Sequence, residues 1–148
     1  MKGKEPPSIV RNIMSKPVIT TRENTSARRA AEIMSEKEVG SVVVTHEDKP
    51  VGIVTERDIL ERVVAKGLDA SKIQVIDIMS TPLITVKGNL PIVEAIRIMQ
   101  KKKIRRLLVL ENKKLSGIVT QRDLLRALAF HVIISFRPLL GTAQEGNK

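Results

Sequence analysis

Apolar residues along this chain fall into two alternating patterns. Ala27, Ala30, Ala31 and Met34 recur at helical spacing, and so do Ile92, Ala95, Ile96 and Met99. Shorter unbroken apolar runs follow each of these stretches. Val42-Val43-Val44 leads through a polar turn, His46 to Lys49, into Val51 to Val54; Leu107 to Leu110 leads through Glu111 to Lys114 into Leu115 to Val119. Two strand-like runs joined by a short polar turn predict a β-hairpin. Ahead of each helix, an amphipathic turn (Ile9 to Met14; Val75 to Met79) meets a proline and then a brief predicted strand, Val18 to Thr20 or Leu83 to Thr85. Asn24 and Asn89 are expected to cap these helices, with Pro91 in the first turn. A closing helix is expected from Glu56 and again from Gln121. The order β-α-β-β-α is thus written twice.

The two copies are in strict register. Residues 10–63 recur without a gap as residues 75–128. Ile13-Met14-Ser15 matches Ile78-Met79-Ser80, Gly52-Ile53-Val54-Thr55 matches Gly117-Ile118-Val119-Thr120, and Arg57-Asp58 matches Arg122-Asp123. Two copies are too few for a solenoid, so a closed pair is expected. The fold class is α/β in the α+β sense: two pseudo-symmetric repeats, 8–66 and 72–130, packed through their sheets, with a C-terminal extension over 131–148.

Composition narrows the setting. The 148 residues are 42% hydrophobic, enough for a core, and include no cysteine. Disulfides and thiolate metal sites are therefore excluded, and a reducing compartment fits. Residues 1–7 lack the apolar run of a signal peptide, and the apolar stretch Ala127 to Ile134 is too short to cross a bilayer. A cytoplasmic protein without a membrane partner is the expectation. The net charge is +10, unevenly spread: residues 1–67 hold 12 Lys/Arg against 10 Asp/Glu, and residues 68–148 hold 14 against 6. Such an excess raises nucleic acid as a partner. With two Phe and no Trp or Tyr, however, the chain has almost nothing on which to stack bases.

Candidate chemistry concentrates at Thr55-Glu56-Arg57-Asp58 and Thr120-Gln121-Arg122-Asp123. A threonine followed three residues later by an acid, just after a strand, is a capping-box variant that satisfies free backbone N–H groups. The same corner favours phosphate near the helix N-terminus, and an acid in the first turn can accept hydrogen bonds from a ribose diol. Both readings stand together. Where the first copy has Gly40-Ser41, the second has Arg105-Arg106, whose guanidinium forks suit phosphate oxygens; the plainer reading is a basic face continuing Lys101 to Lys103. No nucleophile elbow, dinucleotide fingerprint or P-loop occurs, so an enzyme is not expected. His46 and His131 stand at unrelated positions of the repeat and are expected to be a solvated and a packed residue, not metal ligands.

From Gly-Ile-Val-Thr-x-Arg-Asp outward, about residues 8 to 130, the chain resembles a tandem pair of CBS domains, the arrangement called a Bateman module. The resemblance implies a regulatory ligand-sensing module for an adenine nucleotide, AMP first among AMP, ADP and ATP, held in a cleft between the copies. It places ribose on Asp58 and Asp123, and ribose or phosphate on Thr55 and Thr120. Phosphate would lie near Arg105 and Arg106, with Arg122 in the same motif, and the base against Val18, Ile19 and Thr20 or Leu83, Ile84 and Thr85. It also implies a homodimer, output through an effector protein, and S-adenosyl compounds as alternative ligands. A nucleic-acid binder using the basic second copy, or a dimerisation module with vestigial sites, are the competing readings.

Overall fold

The computed structural model describes residues 5–142, and side chains as far as Pro138. The chain forms two compact units. The first is Pro17–Ile84; the second joins the residues up to Lys16 to those from Thr85 onward. Each holds one three-stranded sheet, ordered β1-β2-β3 in the first and β4-β5-β6 in the second.

In the first unit, β1 (Thr20–Arg22) runs parallel to β2 (Ser41–His46), which pairs antiparallel with β3 (Lys49–Thr55). The hairpin turns on Glu47 and Asp48, at φ 47° and 63°. Two successive left-handed residues give a turn whose twist matches that of the strands it joins. Helix α1 (Ala27–Lys37) buries Ala27, Ala30 and Met34, the predicted stripe, with Ala31 only half-buried. These residues join Val42, Val44, Val54, Val63, Val75 and Ile78 in one core. After β3, α2 (Glu56–Ile59) widens into a π-helical turn over Leu60–Val64. A further helix, α3 (Val75–Ile78), closes the unit.

The second unit repeats the plan. Its β4 (Thr85–Lys87) is parallel to β5 (Arg106–Glu111), and β5 pairs antiparallel with β6 (Lys114–Thr120) through a turn on Asn112 and Lys113 at φ 51° and 62°. Helix α4 (Ile92–Lys102) buries Ile92, Ala95 and Met99 against a core with Val10, Leu107, Val109, Val119 and Leu124. Val43 and Leu108, pointing to the opposite face of their sheets, are also buried. Helix α5 (Gln121–Thr142) has 22 residues and stays helical where α2 widens. The C-terminal extension expected from residue 131 is thus helix as far as Thr142, with Val132, Ile133 and Phe136 exposed. Leu139 and Leu140 side chains and the tail from 143 lie outside the described residues.

Two local expectations are corrected. The brief strands begin later than predicted, at Thr20 and Thr85; Val18, Ile19, Leu83 and Ile84 precede them outside regular secondary structure. Asn24 and Asn89 cap nothing: Ser26 is the N-cap of α1, its Oγ accepting from Arg29 N at 3.1 Å, and Pro91 itself occupies the N-cap of α4. The reason is tertiary. Ser26 is bridged to Gln74 and Pro91 to Ile9, and these pairings set where each helix begins.

The same pairings reveal an exchange. Residues 8–15 lead the first copy in sequence, yet they pair with the second: Ile9 with Pro91 and Ser15 with Ile118, while Val10 N donates to Leu90 O at 2.9 Å. The matching segment before the second copy pairs with the first, Gln74 with Ser26 and Ser80 with Ile53.

Candidate ligand site

Both Thr-x-x-Asp corners form at the end of a hairpin, where β3 or β6 turns directly into a helix. In the first unit the capping box closes fully: Asp58 N donates to Thr55 Oγ1 at 3.1 Å, and Thr55 N donates to Asp58 Oδ2 at 2.9 Å. In the second, Asp123 N donates to Thr120 Oγ1 at 3.3 Å, while Asp123 Oδ2 accepts from Thr120 N at 2.8 Å and from its hydroxyl at 2.9 Å. Both pairs are helix caps.

The carboxylates nevertheless differ. Asp58 is 8% exposed. Its Oδ1 accepts from Ser80 Oγ at 3.2 Å and lies 3.7 Å from Arg62 Nη2. Arg62 is itself held by the carbonyls of Ile78 (2.6 Å) and Met79 (3.2 Å). Asp123 is only half-buried, and no partner reaches its Oδ1 among the described residues. The position matching Arg62 is Ala127, which cannot reach.

The second corner also gathers the arginines. Arg106 stands opposite Thr120 in the β5–β6 ladder, and the Arg105 carbonyl accepts from Gln121 N at 2.9 Å. Arg105 and Arg122 are exposed and Arg106 is half-buried. In the first unit the matching places are small: Ser41 faces Thr55, and Gly40 O accepts from Glu56 N at 3.1 Å. Arg57, the partner of Arg122 in the repeat, is paired with Glu61 at 2.6 Å, and this contact raises its pKa.

The remaining candidates lie before the edge strands. Thr20 and Thr85 are exposed at the starts of β1 and β4, and Val18, Ile19, Leu83 and Ile84 are half-buried. Leu83 and Ile84 follow Ser80 closely, so in the first unit they belong to the segment tied to β3 and Asp58. Thr85 shares its unit with Thr120 and Asp123; Val18, Ile19 and Thr20 lie in the other. Sequence reasoning missed Ser80 and Arg62. The doubling of Ile-Met-Ser carried a signal for Ser80, whereas Arg62, unmatched in the repeat, carried none. The histidines are engaged singly: His46 Nδ1 meets Glu23 Oε1 and His131 Nε2 meets Pro7 O, each at 2.7 Å. Among the described residues no cluster of three or more His, Asp or Glu could hold a metal ion.

Comparison with known proteins decides the family. The CBS domain profile matches twice, at residues 10–65 and 75–130, together more than half of the chain. The chain belongs to the CBS-domain family. This CBS pair, a type of module that generally binds regulatory ligands, is 42% identical over 119 residues to an uncharacterised protein of Methanopyrus kandleri. That match covers 79% of this chain and 61% of the relative, so the chain spans about three-fifths of that relative's length. Hypoxic response protein 1 of Mycobacterium tuberculosis is 31% identical over 127 residues, covering 85% of this chain and 89% of that one. A crystal structure of Hypoxic Response Protein I with two coordinated zinc ions superposes at a TM-score of 0.68 with 28% identity, over 80% of this chain and 97% of that one. A hexameric CBS-CP12 protein from bloom-forming cyanobacteria superposes at 0.73 with 34% identity, over 79% of this chain and 66% of that one.

Proposed function

We propose that this CBS pair senses an adenine nucleotide, with AMP the first candidate, and that the corner at Asp123 holds its ribose. The observation that carries the reading is Asp123 Oδ1, an acceptor at a helix N-terminus with no partner among the described residues. A carboxylate offers about four lone-pair sites, so Asp123 can cap its helix with one oxygen and accept a ribose hydroxyl with the other. Arg105 and Arg106, at the end of the neighbouring strand, supply charge for phosphate. The adenine is assigned to the edge strand of the same unit, at its exposed first residue Thr85. Signalling follows from differential affinity: ligand favours one of two arrangements and shifts the population, for an effector protein or a second copy to read. Self-association is supported by the hexameric state of the CBS-CP12 relative and by the exposed Leu125, Val132 and Phe136 of α5.

Isothermal calorimetry with AMP, ADP, ATP and S-adenosylmethionine tests the ligand class. Binding of AMP that Asp123→Ala abolishes is the expected result. Heat from S-adenosylmethionine alone, or AMP binding indifferent to Asp123, overturns it.

A further inference from the structure

The first unit carries the same Thr-x-x-Asp corner as the second, but its carboxylate is spoken for from within the chain. Asp58 Oδ2 is used by Thr55 N, and Oδ1 by Ser80 Oγ with Arg62 beside it. Two features put Arg62 there. The helix after Asp58 widens, Ala65 N donating five residues back to Leu60 O at 2.8 Å, and α5 has no such turn. The Ile78 and Met79 carbonyls, at the end of α3, then anchor Nη1. Drawing the guanidinium away would leave the carbonyls of buried Ile78 and half-buried Met79 short of a donor, so the arrangement resists displacement. In the second unit Ala127 replaces Arg62, and Ser15, the counterpart of Ser80, keeps its backbone bridge to Ile118 but makes no hydroxyl bond to Asp123.

We infer that Arg62 and Ser80 latch the corner of the first unit, so that the chain takes nucleotide at Asp123 alone. This rests on the nucleotide reading above. Arg62 is a specificity-determining residue: it sets how many ligands the doubled motif accepts. Duplication built two corners, and Arg62 with Ser80 closes one of them.

The test uses the full chain. Calorimetry with AMP should give one site in the wild type and two in Arg62→Met, which keeps the apolar stem and removes the fork. Arg62→Met combined with Asp123→Ala should retain one. Two sites in the wild type, or a single site in Arg62→Met, overturns the latch. A second measurement needs no nucleotide: carbodiimide labelling of carboxyl groups, read by mass spectrometry. Asp58 should label several-fold more slowly than Asp123 in the wild type and approach its rate in Arg62→Met. Equal rates in the wild type overturn the latch. If AMP fails to bind any variant, the nucleotide reading falls while the labelling still decides whether Arg62 shields Asp58.

Discussion

Met79 fills the space that a side chain at Gly52 would need. A Cβ built on Gly52 would lie 2.8 Å from Met79 Cγ and closer still to its sulfur, and Gly117 meets Met14 in the same way. The glycine of the Gly-Ile-Val-Thr motif is thus the seat for a methionine of the exchanged segment. Gly52→Ala should destabilise the protein by about 1–3 kcal/mol through overpacking. At roughly 2–4 °C per kcal/mol for a chain of this size, calorimetric melting should show the loss. Adding Met79→Ala should recover part of it, and a double mutant no better than the sum of the singles would refute the contact.

This pairing shows where local reading of the sequence succeeds and fails. The hairpins and helices were legible because alternating and helical periods report which face is buried, and both copies repeated them. The threonine-aspartate caps were legible too, since every bond in them spans three residues. The starts of α1 and α4 were not. Asn24 is a good capping residue, but the Ser26–Gln74 bridge moves the helix start two residues on, and nothing near Asn24 records Gln74. Arg62 was hidden for the same reason: its partners, Ile78 and Met79, lie 16 and 17 residues away.

Capping can be tested directly. Ser26→Ala removes the acceptor for Arg29 N and should lower stability by about 1 kcal/mol. Asn24→Ala, in the turn before it, should fall within about 0.5 kcal/mol of the wild type. Urea denaturation of both variants compares them; equal losses would return the cap to Asn24.

Asp123 has a double role in the proposed function, and one substitution separates the parts. Asp123→Asn keeps an oxygen for Thr120 N, so the melting temperature should change little. The lost charge and the altered acceptor should cost AMP affinity about tenfold or more, which is about 1.4 kcal/mol. Calorimetric titration beside a thermal melt reads both. Unchanged affinity with a lowered melting temperature would leave Asp123 a cap and nothing else.

The second hairpin holds an improvable turn. Lys113 sits at φ 62°, where a side chain is strained and glycine is not. Lys113→Gly would create Asn-Gly, the sequence best matched to this turn. Despite the greater freedom of glycine in the unfolded chain, a gain of about 0.5–1 kcal/mol is expected. A lower melting temperature would show that Lys113 contributes contacts beyond its backbone.

The exchange of leading segments also sets a timetable. On the ribosome, chains grow at about 5–20 residues per second and domains fold as units. The first unit has all its parts once Ile84 has emerged, with Gln74 and Ser80 in place beside Ser26 and Ile53. Ser15, made long before, finds its partner only when Ile118 appears. A segment made before the first unit is therefore locked only after it, and a nascent chain stalled between the copies would carry one finished unit and one waiting segment.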